Sequence, residues 1–381
     1  MKKLFLYVCT LSIMTLSGCS KDNEPDMPPT PEPEPEPELP TEGWIDPIFA
    51  QVLEEGCYIA DAATVTPEDV ADLTMVNVAY IGEGKGPITS VKGIEKFTSL
   101  MYFNCNDNKI TELDFSNNLE LTQLDCCTNE LKILNVNKNT KLTHITCVNN
   151  LLSSLELNPA VTYLYCTNNK LSSLDVTKNL DLDFLSCGIN KITELDVSKN
   201  KKLVHLSCDE NELTSLDVTN NLLLTSLNCG NNPLYSIDVT KNTELVSIAC
   251  CGNHLTSLDV TQNPKLDFLW CRFNQLTELD LTHNPLLKSL DMWQNEVSYL
   301  DLSNNTKLER LVILNNQFKS LDISNVKKMT DQFIIQDNPG ENGKFIITVP
   351  FDEEGQPINV PEQTEWRYSG TDIFVEFVRA N

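Results

Sequence analysis

The amino-acid sequence predicts a mostly β fold, a leucine- and cysteine-rich solenoid of 11–13 coils with a small helical N-terminal cap and a β-rich C-terminal cap. The first observation is a repeat: eleven copies of one pattern follow one another, with nine intervals of 21 residues and one of 19. In every copy the same six positions, 1, 4, 6, 11, 14 and 16, are apolar, and position 9 is asparagine. A fixed period of this length is typical of stacked coils that share one core. The copies begin at Leu100, Leu121, Leu142, Val161, Leu182, Leu203, Leu224, Leu245, Leu266, Leu287 and Leu308.

Each copy follows the pattern L-x-x-L-x-C-x-x-N-x-L-x-x-L-D-V-[ST]-x-N-x-x. Its first half resembles the consensus of the leucine-rich repeats, in their short bacterial class, with cysteine at position 6. The resemblance covers about residues 100–328. Alternating apolar residues place their side chains on one face of a strand, so successive copies should stack as parallel strands. The return half is short and rich in turn residues, which predicts a second short strand or an extended turn.

Residues 44–99 are predicted to form the N-terminal cap and a first irregular repeat. Asp46-Pro47 provides a helix start that ends at Gly56, and Thr66-Pro67 begins a second short helix through about Leu73. The segment resembles the helical cap of internalin-type adhesins. Such a cap is needed because a first coil has no neighbour to cover its core.

Residues 329–381 are predicted to form a degenerate last repeat and a β-rich cap. Met329 begins the degenerate coil, and two strand-like apolar runs follow at 345–349 and 373–378. The order of these strands is left open by the sequence.

The first residues predict export. Residues 1–18 have the pattern of a signal peptide, with two lysines before an apolar run too short for a resident membrane helix. Leu16-Ser17-Gly18-Cys19 resembles the lipobox of bacterial lipoproteins, which implies a lipid on Cys19. Residues 19–43 then form an extended Pro/Glu stalk. We therefore expect an outer-membrane lipoprotein exposed at the cell surface and attached to the membrane only through its N-terminal lipid.

The charge excludes several kinds of partner. With 28 basic and 54 acidic residues the net charge is −26. A nucleic-acid binder needs basic patches that displace counterions, and docking on an anionic membrane needs them too. The sequence thus predicts a protein that binds neither nucleic acid nor an anionic lipid surface.

The cysteines, histidines and aspartates predict structure rather than chemistry. Nine cysteines from Cys105 to Cys271 share position 6, and registered strands keep them about 4.8 Å apart, too far for relaxed disulfides. We expect a reduced, buried column. The four histidines fall where no pair can share a metal, and no catalytic group, metal site or cofactor is predicted. Aspartate recurs at position 15, where either a cation or hydrogen bonds from turn N–H groups would offset the repulsion.

Binding residues are expected at positions 3, 5 and 7, which point outward from each strand. One candidate group is aromatic and spans consecutive copies, and the other combines two tryptophans with charged residues near the C-terminal end. Aromatic residues and arginine dominate binding hot spots. The candidate ligand-binding residues are Tyr163, Tyr165, Phe184 and His205 in the first group and Phe268, Trp270, Arg272, Asp291, Trp293 and Arg310 in the second.

The leading hypothesis is a non-enzymatic surface lipoprotein that recognises a protein partner through the concave face of the solenoid. The alternatives are a glycan-binding surface lipoprotein, with the aromatic rings as sugar platforms, and an envelope spacer without a dedicated ligand. The sequence names neither the ligand nor the oligomeric state.

Overall fold

One short parallel strand per copy forms the concave sheet of the molecule. The computed structural model describes residues 43–82, 87–326, 333–341, 344–358 and 374–379, and these belong to one compact unit, Thr41–Asn381. The predicted signal peptide, Cys19, the stalk before residue 43 and Met329 lie outside the described residues. The described strands are β1 (Met75–Asn77), β2 (Tyr102–Asn104), β3 (Glu112–Asp114), β4 (Gln123–Asp125), β5 (Ile133–Asn135), β6 (His144–Thr146), β7 (Tyr163–Tyr165), β8 (Phe184–Ser186), β9 (His205–Ser207), β10 (Ser226–Asn228), β11 (Ser247–Ala249), β12 (Phe268–Trp270), β13 (Ser289–Asp291), β14 (Arg310–Val312), β15 (Ser320–Asp322), β16 (Phe333–Ile334), β17 (Lys344–Val349) and β18 (Phe374–Arg379).

The concave sheet has thirteen described strands in the order β1-β2-β4-β6-β7-β8-β9-β10-β11-β12-β13-β14-β16. Each pair of repeat strands is parallel and aligned residue for residue, as in Phe184 beside His205. The shortened copy keeps this register, since His144 lies beside Tyr163 although the two are only 19 residues apart. The predicted solenoid is confirmed, and its return turn accommodates the loss of two residues without a change of strand register.

The N-terminal cap forms as predicted. Helix α1 (Pro47–Glu55) is capped by the Asp46 carboxylate, which accepts hydrogen bonds from the N–H groups of Ile48 and Phe49. Helix α2 (Pro67–Ala71) begins after Thr66 and ends two residues before the expected limit. The ring of Phe49 lies 6.5 Å from that of Phe103 in β2, so α1 covers the first regular coil.

A left-handed residue at position 8 turns the chain after each repeat strand. The φ angles are 51° to 64° from Asp107 through Asn315, and asparagine, aspartate and glycine fill most of these positions. Ile189 and Phe273 adopt the same conformation with bulky side chains, which is unusual for such residues. Because this turn recurs in every coil, the residue at position 9 always points back into the stack.

The asparagines at position 9 join neighbouring coils. The Asn211 amide nitrogen donates to the carbonyl of Cys208 in its own coil, at 3.0 Å, and to that of Cys187 in the preceding coil, at 3.1 Å. Its amide oxygen accepts from the N–H of Ile192 at 2.9 Å. Buried turn groups are thereby satisfied, so the asparagine column serves the structure.

The return half forms strands only near the ends of the solenoid, namely β3, β5 and β15 within the described part. Between them the return half is extended turn, stabilised by a second buried asparagine column at position 19. Asn200, for example, donates to the carbonyls of Val176 and Asn179 at 2.9 and 2.7 Å.

The aspartates at position 15 serve these turns. Thr177 donates both its hydroxyl and its N–H to the Asp175 carboxylate, at 2.6 and 2.9 Å, and the hydroxyl bond and then the N–H bond lower the pKa of Asp175. Asp196 is held in the same way by Ser198. The hydrogen-bonding explanation thus accounts for the aspartate column.

The C-terminal cap extends both sides of the solenoid. β16 adds to the concave sheet beside β14, while β15, β17 and β18 form a parallel sheet on the return side. Phe345, Ile347 and Val349 of β17 are buried and continue the core. The prediction of a β-rich cap is confirmed. The sequence left the strand order open, and in the structure all the strands of this sheet are parallel.

Candidate binding surface

The concave face is lined by positions 3, 5 and 7, because positions 4 and 6 of each repeat strand are buried in the core. The cysteines of position 6 are fully buried from Cys105 to Cys271. All twelve cysteines in the described ranges are free thiols, and burial raises the pKa of the column, to about 12 at Cys187 and Cys229. The inward column therefore offers no reactive group, and any recognition must use the concave side chains or the outer surfaces.

Four rings at position 3 form what we call the ring ladder: His144, Tyr163, Phe184 and His205. Their centroids are separated by 5.6, 4.2 and 4.5 Å, and the ring planes are within 17° of parallel. Tyr165 meets Phe184 edge-on at 6.1 Å. The register of the repeat strands thus brings these side chains together. Their faces, however, are covered by one another.

His205, the last ring of the ladder, has a lowered pKa. Burial lowers the pKa of His205, and the nearby Asp209 carboxylate partly opposes the shift. His205 is thus neutral at neutral pH and behaves as one more stacked ring. Beyond it the floor of the concave face is small and polar, with Ser226 and Ser247 at position 3 of the next two strands.

The second candidate group, which we call the tryptophan–arginine patch, consists of Phe268, Trp270, Arg272, Asp291, Trp293 and Arg310. Trp270 lies directly beside Asp291 in the sheet, as the repeat register predicts. The indole N–H of Trp270 donates to the Ser289 hydroxyl at 3.2 Å. Trp293 contacts Phe273, with ring centroids 4.6 Å apart. Both indoles are half-buried rather than freely exposed, because each is held against a neighbour.

Asp291 occupies the centre of the patch. Its carboxylate lies 3.3 Å from the guanidinium of Arg310 and 4.0 Å from that of Arg272. The N–H of Trp293 donates to its other oxygen at 3.4 Å. One buried acid thus lies between two arginines whose side chains are 23% (Arg310) and 47% (Arg272) exposed.

The expectation that every position 3 and 5 of this region is exposed was wrong. Ser289, Asp291 and Val312 are only 4% to 5% exposed. Ser289 and Asp291 are covered by the longer side chains of Arg310 and Trp270, which flank them in the adjacent coils. Val312 lies between Asp291 and Ile334 in the sheet. Asp291 is therefore a residue that positions the arginines and not a free contact.

Two features of the surface were missed at the sequence level. Phe273, at the left-handed position 8, supports Trp293, although this column otherwise contains mostly turn residues. An aliphatic rim also precedes strands β8 to β11, at positions 20, 21 and 2 of the repeat, where side chains are 37% to 59% exposed. Leucines at positions 20 and 21, outside the six apolar columns, were the available signal. The rim residues are Leu180, Val204, Leu222, Leu223 and Val246.

The described residues contain no group of three or more His, Cys, Asp and Glu side chains arranged to hold a metal ion. Among the same residues, no helix has both the length and the apolar character needed to cross a membrane.

Comparison with solved structures identifies similar molecules. The functional domain of InlJ from Listeria monocytogenes, described as including a cysteine ladder, is 34% identical, with 76% of each chain covered and a TM-score of 0.53. The internalin InlF from the same organism is 24% identical over 71% of this chain and 89% of that one, with a TM-score of 0.58.

More distant matches share the fold alone. The ectodomain of the Arabidopsis thaliana receptor kinase GASSHO1/SCHENGEN3, solved in complex with CASPARIAN STRIP INTEGRITY FACTOR 2, is 18% identical. The match covers 77% of this chain and 40% of that one, with a TM-score of 0.59. No protein-family model and no curated protein sequence matches.

Proposed function

Because the chain belongs to the internalin-like leucine-rich repeat proteins, we propose that it is a non-enzymatic recognition protein that binds a protein partner through its concave face. The leucine-rich repeat solenoid is commonly used for protein–protein interaction. The observation that carries the proposal is the tryptophan–arginine patch, where two indoles and two guanidinium groups are grouped within three adjacent strands. Trp and Arg are the residue types most enriched in binding hot spots.

The remaining surface supports a protein partner better than a glycan. Sugars stack on open aromatic faces, but the central faces of the ring ladder are occupied by neighbouring rings at 4.2 and 4.5 Å. The exposed aliphatic rim beside the ladder adds an apolar area of the kind that marks protein contacts. Glycan binding and a spacer role without a ligand are therefore the alternatives to be tested.

The test uses residues 44–381, which lack only the first three residues of the compact unit, in a pull-down from candidate partner proteins beside a glycan array. For the partner so identified, Trp270→Ala and Trp293→Ala should each weaken binding by about 2 kcal/mol, close to thirtyfold, while the melting temperature changes little. Tyr299→Ala is the matched control, because Tyr299 is a 73% exposed aromatic residue of the return side.

The other outcomes of this experiment are decisive. Glycan binding that is lost in both tryptophan variants would establish the glycan alternative. Failure of both assays to yield a ligand would favour the spacer. A melting temperature lowered by many degrees in both variants would mean that the patch is a packing seam and not a contact site.

The proposal includes attachment at the cell surface through Cys19. The support is the sequence Leu16-Ser17-Gly18-Cys19 and the Pro/Glu stretch that follows it, which would hold the solenoid away from the membrane. Cys19→Ala should release the protein from the membrane fraction or block its processing. Metabolic labelling with a fatty acid that persists in the Cys19→Ala protein would contradict this assignment.

A further inference from the structure

We propose that the tryptophan–arginine patch recognises a single acidic side chain next to an apolar residue in an extended segment of the partner protein, and that Arg272 binds the carboxylate. The inference rests on the proposed function and specifies the partner's chemistry at that site. It follows from an imbalance of charge, from the free donors of Arg272 and from the apolar walls around them.

The charge imbalance is local and unusual for this chain. Only four of the 28 basic residues are arginine, and two of those four, Arg272 and Arg310, lie on the concave face around one carboxylate. The three groups together carry a net charge of about +1 in a molecule whose total is −26. The patch is therefore locally positive on an acidic molecule.

Arg272 has unused hydrogen-bonding capacity. Its ionic partner among the described residues is Asp291, and at 4.0 Å that contact is longer than a hydrogen bond. Its side chain is 47% exposed, whereas Arg310 is closer to Asp291 and more buried. Guanidinium presents several N–H donors in a planar fork that matches a carboxylate, so Arg272 can accept a second anion in bidentate geometry.

Among the described residues around Arg272, the Asp291 carboxylate is shared with Arg310, and Cys251 contacts the guanidinium only as an uncharged thiol. Cys251 occupies the equivalent position of the preceding coil, and the N–H of Gly252 donates to the Arg272 carbonyl at 2.9 Å. Burial raises the pKa of Cys251, although Arg272 partly opposes this, so its thiol stays uncharged. Asp267 is paired with Lys288 at 2.7 Å.

The walls of the site are apolar and held in place. Trp293 rests on Phe273, Trp270 is fixed by its bond to Ser289, and Phe268 is 41% exposed beside them. A carboxylate bound among such groups is partly shielded from water, which strengthens its interaction with the guanidinium. An apolar side chain next to the acid in the partner would cover the indoles.

The partner segment should carry one acid and not a run of acids. The overall charge of −26 repels polyanions. Salt screens charges more than about 8 Å away at physiological ionic strength, so a single acid bound at Arg272 interacts mainly with the groups of the patch. An internal residue is favoured over a chain end because small side chains, Ser247 and Ala249, continue the floor of the groove beyond Trp270.

The test is a microarray of random 12-residue peptides with amidated C-termini, probed with residues 44–381. Peptides that bind the wild type should be enriched in a single Asp or Glu next to an apolar residue. For the best binder, changing that acid to its amide should weaken binding about tenfold or more, as expected for a hydrogen-bonded charge pair. Arg272→Gln should cause the same loss, and the two changes together should cost little more than either alone.

Controls separate recognition from folding and from general charge. Lys265→Gln removes a half-exposed cation at the end of the preceding repeat and should leave peptide binding unchanged. Arg272→Lys should retain part of the affinity, and all variants should melt within a few degrees of the wild type.

The inference is overturned if binders lack an acid, if the two losses are additive, or if no peptide depends on the patch. In those cases the proposed function still stands when Trp270→Ala and Trp293→Ala weaken binding of the whole partner protein. If these variants leave that binding unchanged, the proposed function itself fails.

Discussion

The ring ladder and the tryptophan–arginine patch occupy the same concave sheet, yet they differ in how their side chains are satisfied. In the ring ladder, one column repeats the same kind of residue, and each ring packs on the next. In the patch, the residues change from coil to coil, and Arg272 keeps exposed donors beside a buried acid. A column of the same residue type is stabilised by contacts between its own side chains. Where the residue type changes from coil to coil, some hydrogen-bond donors stay exposed and can bind an external partner.

The largest difference should appear in thiol reactivity. Cys250 is fully buried and Cys251, the next residue, is a half-buried member of the concave face beside Arg272. Cys126 and Cys127 repeat this arrangement near the ring ladder. We expect iodoacetamide to modify exposed Cys57 first, Cys251 and Cys127 slowly, and the inward column only after denaturation without reductant, because only accessible thiolate reacts.

Mass spectrometry of the alkylated protein provides this measurement. Burial raises the pKa of both Cys251 and Cys127, so both should react more slowly than exposed Cys57. Disulfides between adjacent members of the inward column would show that the stacking geometry is wrong.

The next effect concerns stability. Phe184 packs between Tyr163 and His205 and also contacts Tyr165. Phe184→Ala should lower the free energy of unfolding by about 2 kcal/mol, combining lost burial with three lost ring contacts. Phe268→Ala is the matched control, since Phe268 is at the same repeat position between two serines and should cost less than about 0.5 kcal/mol. Equal losses in urea unfolding would remove the distinction between the two regions.

A smaller effect should appear as a pH dependence of the ring ladder. Burial holds the pKa of His205 below its ordinary value of 6.5, so the unfolded chain binds a proton more readily than the folded one. The stability contributed by neutral His205 is therefore complete above that value and decreases as the pH falls through 6.5 and below. Relative to His205→Phe, the wild type should lose stability between pH 7.5 and 5. Identical pH profiles would contradict the stacked, neutral imidazole.

The repeat explains how much of this molecule the sequence could predict. Every repeat strand follows from the 21-residue spacing, and the alignment of Trp270 with Asp291 follows from it too. The burial of Asp291 does not, because it depends on how the longer Trp270, Arg272 and Arg310 side chains fold over a shorter neighbour. The spacing also could not show that Phe273, in a column occupied mostly by turn residues, would support Trp293.

The return half illustrates a second limit. Its pattern is nearly the same in all copies, yet described strands form only near the ends, at β3, β5 and β15. At the C-terminal end the difference comes from a neighbour, since β17 supplies the partner to which β15 is paired. Local sequence was compatible with either strand or extended turn, and the tertiary contact selected between them.

The most direct test of the central claim is hydroxyl-radical footprinting of the protein alone and in complex with its partner. If the tryptophan–arginine patch is the contact site, Trp270, Trp293 and Phe273 should lose most of their reactivity in the complex. Tyr235 and Tyr299, which are 67% and 73% exposed outside the concave columns, should remain unchanged. Protection of these tyrosines together with unchanged tryptophans would contradict recognition through the concave face.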